Sequence, residues 1–430
     1  MSSFGFPHLV SDSPRIRLCQ HPQDVFRSHE EHRVLELSEC KDIQPNHGAD
    51  DSRRLKVFGF HLSDGTLYTY LTGDEYEDIA ASWDWNLIPG ITTDYGGTTL
   101  NCNLTEAIGI QAFVGGVSDG EVGAAVMRYT NPITKSVTFQ KAWFFLDDDV
   151  QVVMLSDVAS NSSSPIISVL DQKKHVGPYY VDGDEVKHSA KRDGPVVRHL
   201  RFHGHRRHHH VSRTTSAALP TTNVTRHSGI QTLWHANVGY SFDLCSPVDV
   251  SVQTGNKTGN WTTLGISTQP PSNVDMFAAW IEQPSGQTSL AYKIFPATDQ
   301  GTFQRKVVRS RLSHRILVND KTASAILDTQ DDTAFIIFWS ADGGSVTVPG
   351  SPGFAAVTVS SDINSAIIYH RSKGEVVVSD PSQTASTLVL DLETGTVGKR
   401  PPGFEAEPRR TLVLALPSGG LAGSSVSQSL

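Results

Sequence analysis

The sequence predicts an all-β protein built of antiparallel sheets stacked on one another. Three observations predict it. Apolar and polar residues alternate with a period of two from about residue 57 to the C-terminus, helical periodicity is scarce, and Gly, Asn, Asp and Pro punctuate the alternating runs. Alternation buries one face of a strand and solvates the other. Short turns between such strands favour antiparallel pairing over βαβ units.

Along the chain, Gly73–Pro89 breaks the pattern. Acidic residues open it, Tyr76, Ile79, Ala80 and Trp83 share about one helical face, and Pro89 stops it, so it reads as one short helix or helical turn. Lys135–Leu155 reads as a hairpin: Val137, Phe139 and Ala142–Leu146 form one strand, Asp147–Asp149 the turn and Val150–Leu155 the return. Asp119-Gly120, Asp182-Gly183 and Asp342-Gly343 mark further turns. Pro195–Arg213 holds His199, His203, His205, His208, His209 and His210 among arginines and reads as an inserted surface loop. Arg305, Lys306, Arg309 and Arg311 cluster in a candidate linker over Thr298–Ser313. Beyond it, Leu388, Leu390 and Leu392 fall on one face of a strand, and Leu412, Leu414 and Leu416 on one face of another. Gly419–Leu430 is rich in Gly and Ser and reads as a flexible tail. The chain therefore divides into an ill-defined segment over 1–32, a large β domain over 33–312 with the basic insertion at about 195–213, a smaller one over 313–418, and the tail over 419–430.

The 430 residues carry a net charge of −9, which argues against a general nucleic-acid binder, and no apolar run approaches the ~18 residues that cross a bilayer. Cys19, Cys40, Cys102 and Cys245 are widely separated and resemble neither a zinc site nor a disulfide framework. Sequons occur at Asn103, Asn161, Asn223, Asn256 and Asn260, although MSSFGFPHLVSDSP at the start has none of the features of a secretory leader. Two readings stand: a chain that begins in the middle of a longer secreted protein, or chance sequons in a Ser/Thr-rich sequence.

Candidate chemistry is sparse. Asp147–Asp149 suggests calcium, but a hairpin tip needs polar residues in any case, and three consecutive extended side chains do not converge. The histidine-rich loop offers imidazoles without fixed geometry and reads as a solvated insertion that supplies local positive charge. Indole and polar residues interleave at Trp83-Asp84-Trp85-Asn86 and Trp234-His235-Ala236-Asn237. Sugar rings stack their C–H faces on indole while Asn, Asp and His bond the hydroxyls, so both stretches suit a glycan cleft; the competing reading is tryptophan buried in a β core. No catalytic serine elbow, P-loop or dinucleotide fingerprint is present.

Five segments, in order, go further: FGFHLSDGTLYTYLTGDEYEDIAASWDWNLIPGITTDYGGTTLNCN over Phe58–Asn103, KAWFFLDDDVQVVML over Lys141–Leu155, LDQKKHVGPYYVDGDEV over Leu170–Val186, WHANVGYSF over Trp234–Phe242, and Ser379-Asp380-Pro381-Ser382-Gln383. Together they resemble polysaccharide lyase family 8, the hyaluronate, chondroitin AC and xanthan lyases. The resemblance implies a large antiparallel β super-sandwich followed by a smaller C-terminal antiparallel β domain. It implies β-elimination at a uronic acid, in which donors neutralise the sugar carboxylate, a base removes the C5 proton and an acid protonates the leaving oxygen. In the family an N-terminal α/α toroid holds those groups. The 32 residues before Arg33 do not accommodate one, so the resemblance implies a β half that is inactive alone or nearly so. Glu39 matches the glutamate of the family's E-x-x-N motif, while Asp42 stands where the family has asparagine. An ionised aspartate accepts hydrogen bonds and repels an acidic sugar, where asparagine donates. Asp42, Trp83, Trp85, Trp234 and His235 are the candidate substrate-binding residues. Further implications are an extracellular monomer acting on an acidic polysaccharide, without cofactor, metal, nucleic-acid partner or membrane. The alternative is a non-catalytic carbohydrate-binding protein.

Overall fold

A computed structural model describes residues 59–100, 107–187, 218–243, 246–264, 269–284 and 286–430. Among the described residues four antiparallel sheets are stacked in layers. The outermost has five strands, in the order Thr92–Asp94, Ile166–Lys174, Ser272–Glu282, Val248–Gly259, Val224–Ile230. Beneath it lies a nine-stranded sheet: Val114–Ser118, Gly123–Thr130, Val137–Phe145, Gln151–Ser160, Leu290–Phe295, Val238–Phe242, Thr232–His235, Tyr179–Val181, Asp184–Glu185. A six-stranded sheet follows, with strands His314–Asn319, Ala323–Asp328, Thr333–Phe338, Ser365–His370, Glu375–Ser379 and Val426–Ser429. The last has four: Gly344–Val348, Val357–Ser361, Thr387–Thr394 and Arg409–Ala415.

Strand alternation explains the layering. In Val137–Phe145, Val137, Phe139 and Trp143 face the five-stranded sheet and its Phe277, Ala279 and Ile281, while Ala142 and Phe144 face the six-stranded sheet and its Phe335 and Ile337. Both faces of this central sheet are buried, so its strands read as near-continuous apolar runs. A third core, with Leu388, Leu390, Leu392 and Leu414, joins the six- and four-stranded sheets. The predicted hairpin forms, with Phe145 opposite Gln151 and the Leu146 amide donating to the Val150 carbonyl at 3.0 Å. Gly120, Gly183 and Gly343 take the positive φ that their turns require, 101°, 91° and 68°.

Two expectations are corrected and a third is narrowed. The basic stretch near residue 305 is a 14-residue α-helix, Gln300–Ser313, and not a bare linker. The Asp299 carboxylate caps it, accepting the Thr302 amide at 2.9 Å, and Phe303, Val307 and Ser310 form its buried stripe. So narrow a stripe, set among arginines, leaves little periodic signal. Of the short helix or helical turn expected over Gly73–Pro89, the structure has the turn, a 3₁₀ turn over Ala80–Ser82. The Glu75 carboxylate folds back to accept the amides of Leu71, Thr72 and Gly73 at 2.8, 2.7 and 3.0 Å, closing a loop instead of opening a helix. The tail is no tail: Val426–Ser429 pairs with Glu375–Ser379, and the Leu430 amide donates to the Gly374 carbonyl at 2.9 Å. An exposed sheet edge offers unpaired backbone groups, and the last strand satisfies them.

The helix depends on Gly239, where an added Cβ would lie 2.2 Å from the Phe303 ring. Gly239→Ala is expected to displace Phe303 and lower stability by about 1–3 kcal/mol, read from the thermal unfolding midpoint. An unchanged midpoint would contradict this close packing.

Candidate functional site

The outward face of the five-stranded sheet presents Ile167, Val169, Ala278 and Trp280, and the loops over 62–95 cover it with Tyr68, Leu87, Ile88, Ile91 and Tyr95. Gln172, on that face, pins the cover: its side chain accepts the Asp84 amide at 2.9 Å and donates to the carbonyls of Asp84 and Leu87 at 2.9 and 3.0 Å. The Ala80–Ser82 turn approaches the strand end so closely that a Cβ on Gly259 would lie 1.6 Å from the Ala81 carbonyl oxygen. Ser82 Oγ meets Ser272 Oγ at 3.2 Å.

On this support the half-buried Trp83 stacks on Tyr68, with ring centroids 6.1 Å apart and planes within 2°. Trp85 meets Trp83 edge-on at 5.5 Å and 75°, its Nε1 donating to the Ala80 carbonyl at 3.2 Å. Tyr70 and Tyr76 extend the aromatic group. Asp84 lies between the indoles in sequence: Oδ2 accepts the Tyr95 hydroxyl at 2.6 Å and Oδ1 the Asn86 amide at 3.0 Å. Burial, then the Asp84 charge, push the Tyr95 phenol well above its usual range, so it stays a donor. Trp83 Nε1 and Asn86 Oδ1 are buried and have no hydrogen-bond partner among the described residues.

Trp83 and Trp85 are thus brought together, but Trp234 and His235 do not join them. Neighbouring strand residues point to opposite faces. Trp234 packs toward the core shared with the six-stranded sheet, donating Nε1 to the Thr298 carbonyl at 2.7 Å. His235 is 1% exposed, stacked on Phe277 at 3.8 Å, and its Nε2 accepts the Val176 amide at 3.3 Å. Burial, then the charges of Lys173 and His175, push its imidazole well below the ordinary value, so it is a neutral core histidine and not a hydroxyl contact in a cleft with Trp83. Glu39, Asp42, Asn103 and the histidine-rich loop lie outside the described residues. Asn161, Asn223, Asn256 and Asn260 are exposed. Asp147–Asp149 forms the hairpin tip, tied to the helix by Lys306 Nζ on the Asp148 carbonyl at 3.2 Å. Among the described residues no three His, Cys, Asp or Glu side chains are placed to hold a metal.

Sequence reasoning missed a buried polar cluster between the loop cover and the central sheet. Lys141, fully buried, donates Nζ to the Gly90 carbonyl, with the Gly65 carbonyl at 3.5 Å and Thr92 Oγ1 at 3.4 Å. His61 Nδ1 and Asp64 Oδ2, also buried, pair at 2.7 Å. Burial pushes the Lys141 ammonium down to about 7, against the opposing pull of Asp64. A lysine on the same strand face as Phe139 and Trp143, which are both buried, is the signal that points to it.

Four stacked antiparallel sheets, with an aromatic group over the outer face of the five-stranded one, make the described residues a layered β protein. The polysaccharide lyase family 8 super-sandwich domain matches residues 54–307, and the family's C-terminal β-sandwich domain matches 315–389. The chain belongs to polysaccharide lyase family 8. Chondroitinase-AC of Pedobacter heparinus is 25% identical over 362 residues, which are 82% of this chain and 45% of the relative. The chain therefore spans less than half of that relative's length. A chondroitinase AC lyase solved with oligosaccharides matches 88% of this chain and 49% of its own, with a TM-score of 0.68 and 23% identity. A Paenibacillus xanthan lyase matches 86% and 33%, with a TM-score of 0.65 and 19% identity. A Streptomyces coelicolor A3 chondroitin AC lyase in complex with chondroitin sulphate matches 86% and 43%, at 0.59 and 17%. At these identities the solved structures bear on the fold.

Proposed function

We propose that this chain is the carbohydrate-holding β part of a lyase that cleaves uronic-acid-containing polysaccharides by β-elimination. The observation that carries the reading is the Tyr68–Trp83–Trp85 group, a partly exposed aromatic corner within the matched super-sandwich. Flat indole faces at right angles can take successive sugar rings, and Asp84 and Asn86 supply polar atoms beside them. Glu39 and Asp42 are the further residues assigned to the cleft, Glu39 in a supporting catalytic role. The base and the carboxylate-neutralising donors come from elsewhere, so the chain alone leaves the polymer uncut. An extracellular, N-glycosylated monomer fits the exposed Asn161, Asn223, Asn256 and Asn260. A non-catalytic binder is the second reading, favoured by an aromatic face that needs no catalytic group to hold a glycan.

The purified chain is incubated with chondroitin, hyaluronan and xanthan, and binding and the absorbance of unsaturated product are followed together. Binding without turnover is expected. Trp83→Ala and Trp85→Ala should each weaken binding about tenfold, roughly 1.4 kcal/mol. Turnover comparable to a full-length relative would refute the dependence on other groups; an absence of binding to every uronic polymer would refute the aromatic face.

A further inference from the structure

One cation, Lys257, lies on the strand beneath the loops that carry the aromatic group. Strand Val248–Gly259 turns Val250 and Val252 into the core below, so Lys257 and Gly259, odd-numbered like Ser251, project toward the loop cover. Lys257 lies opposite Val274, two residues from Gly259, where the Ala80–Ser82 turn rests on the strand. It is half-buried, and among the described residues no carboxylate or carbonyl takes a hydrogen bond from its ammonium. The nearby Asp84 carboxylate is occupied by Tyr95 and the Asn86 amide. Burial pushes the Lys257 ammonium down and the Asp84 charge pulls it back up. Holding an ammonium half out of water is costly, Asp84 offsets only part of that cost, and a bound anion would offset more. The surroundings otherwise disfavour an anion: Asp74, Glu77 and Asp78 are exposed on the same loops, and the chain carries a net charge of −9.

We infer that Lys257 is the specificity-determining residue of the aromatic face, pairing with the carboxylate of a uronic acid whose ring rests on the indoles. The inference rests on the carbohydrate-binding reading above and adds the selection of acidic over neutral chains. The full chain, Lys257→Met, Lys257→Arg and Trp83→Ala are titrated calorimetrically with unsulfated chondroitin, whose charge is the uronate alone, and with the same polymer after carboxyl reduction. Lys257→Met should weaken chondroitin binding about tenfold and leave the reduced polymer unaffected, while Trp83→Ala weakens both. Lys257→Arg should keep most of the preference, which a general loss of folding would not allow. Equal effects of Lys257→Met on the two polymers, or none on either, would overturn the role of Lys257 and leave the aromatic face standing. Failure of the unsubstituted chain to bind either polymer would overturn both.

Discussion

Arg371→Met is expected to lower the unfolding free energy by about 3 kcal/mol, the lower end for breaking a buried ion pair, because Arg371 is buried while its partner Asp332 keeps some contact with water. Arg371 is fully buried in the turn between strands Ser365–His370 and Glu375–Ser379. Its Nε approaches the two Asp332 carboxylate oxygens at 3.1 and 3.0 Å, and Nη2 reaches Oδ1 at 2.5 Å. Its Nη1 donates to the carbonyls of Pro349 and Ala355 at 2.6 and 3.3 Å. Those carbonyls belong to the loop joining two strands of the four-stranded sheet, so one guanidinium ties the six-stranded sheet to its neighbour. Arg371→Lys keeps the charge but not the planar fork, and should recover only part of the loss. Urea-induced unfolding measures both; a change below about 1 kcal/mol for methionine would show that water replaces these bonds.

The second large effect is on pH dependence. Lys141 titrates near 7 in the folded chain against about 10.4 when unfolded. Between those values the unfolded chain binds the additional proton, so stability rises with pH by up to about 1.4 kcal/mol per unit. Below about pH 7 both states are protonated and the folded chain bears the full cost of a buried ammonium. Lys293, lowered to about 8 by burial, adds a slope of the same sign at higher pH. The Lys141 share is therefore the difference between the native chain and Lys141→Met, measured by denaturant unfolding from pH 7.5 to 9.5. Above that window the buried phenols of Tyr76 and Tyr240, raised by burial and then by the Asp171 charge, reverse the sign. Parallel curves for the native chain and Lys141→Met would show that Lys141 stays charged, held by its carbonyl partners.

Much of the architecture was legible because strand alternation is a local signal. Leu388, Leu390 and Leu392 are buried on one face as their spacing demands, and Asp-Gly pairs fall at turns for conformational reasons. Gln300–Ser313 was obscured because a helix lying on a sheet turns only Phe303, Val307, Ser310 and Ser313 inward, two of them serines, leaving its arginines to dominate the reading. Val426–Ser429 was obscured because an edge strand is held by backbone bonds to Glu375–Ser379, which its composition does not encode.

The candidate site divides along the same line. By itself the sequence determined stacked antiparallel sheets, the segments that resemble a lyase family, and two stretches in which indole and polar residues interleave. Only the tertiary structure decided that Trp83 and Trp85 share the outer face while Trp234 and His235 turn inward, and that Lys257, 172 residues downstream of Trp85, lies beneath the loops that carry them. The physical reason is range. Alternation and turn chemistry act between neighbours in the chain, whereas which faces meet depends on how distant strands pair and stack, and no short stretch of residues records that.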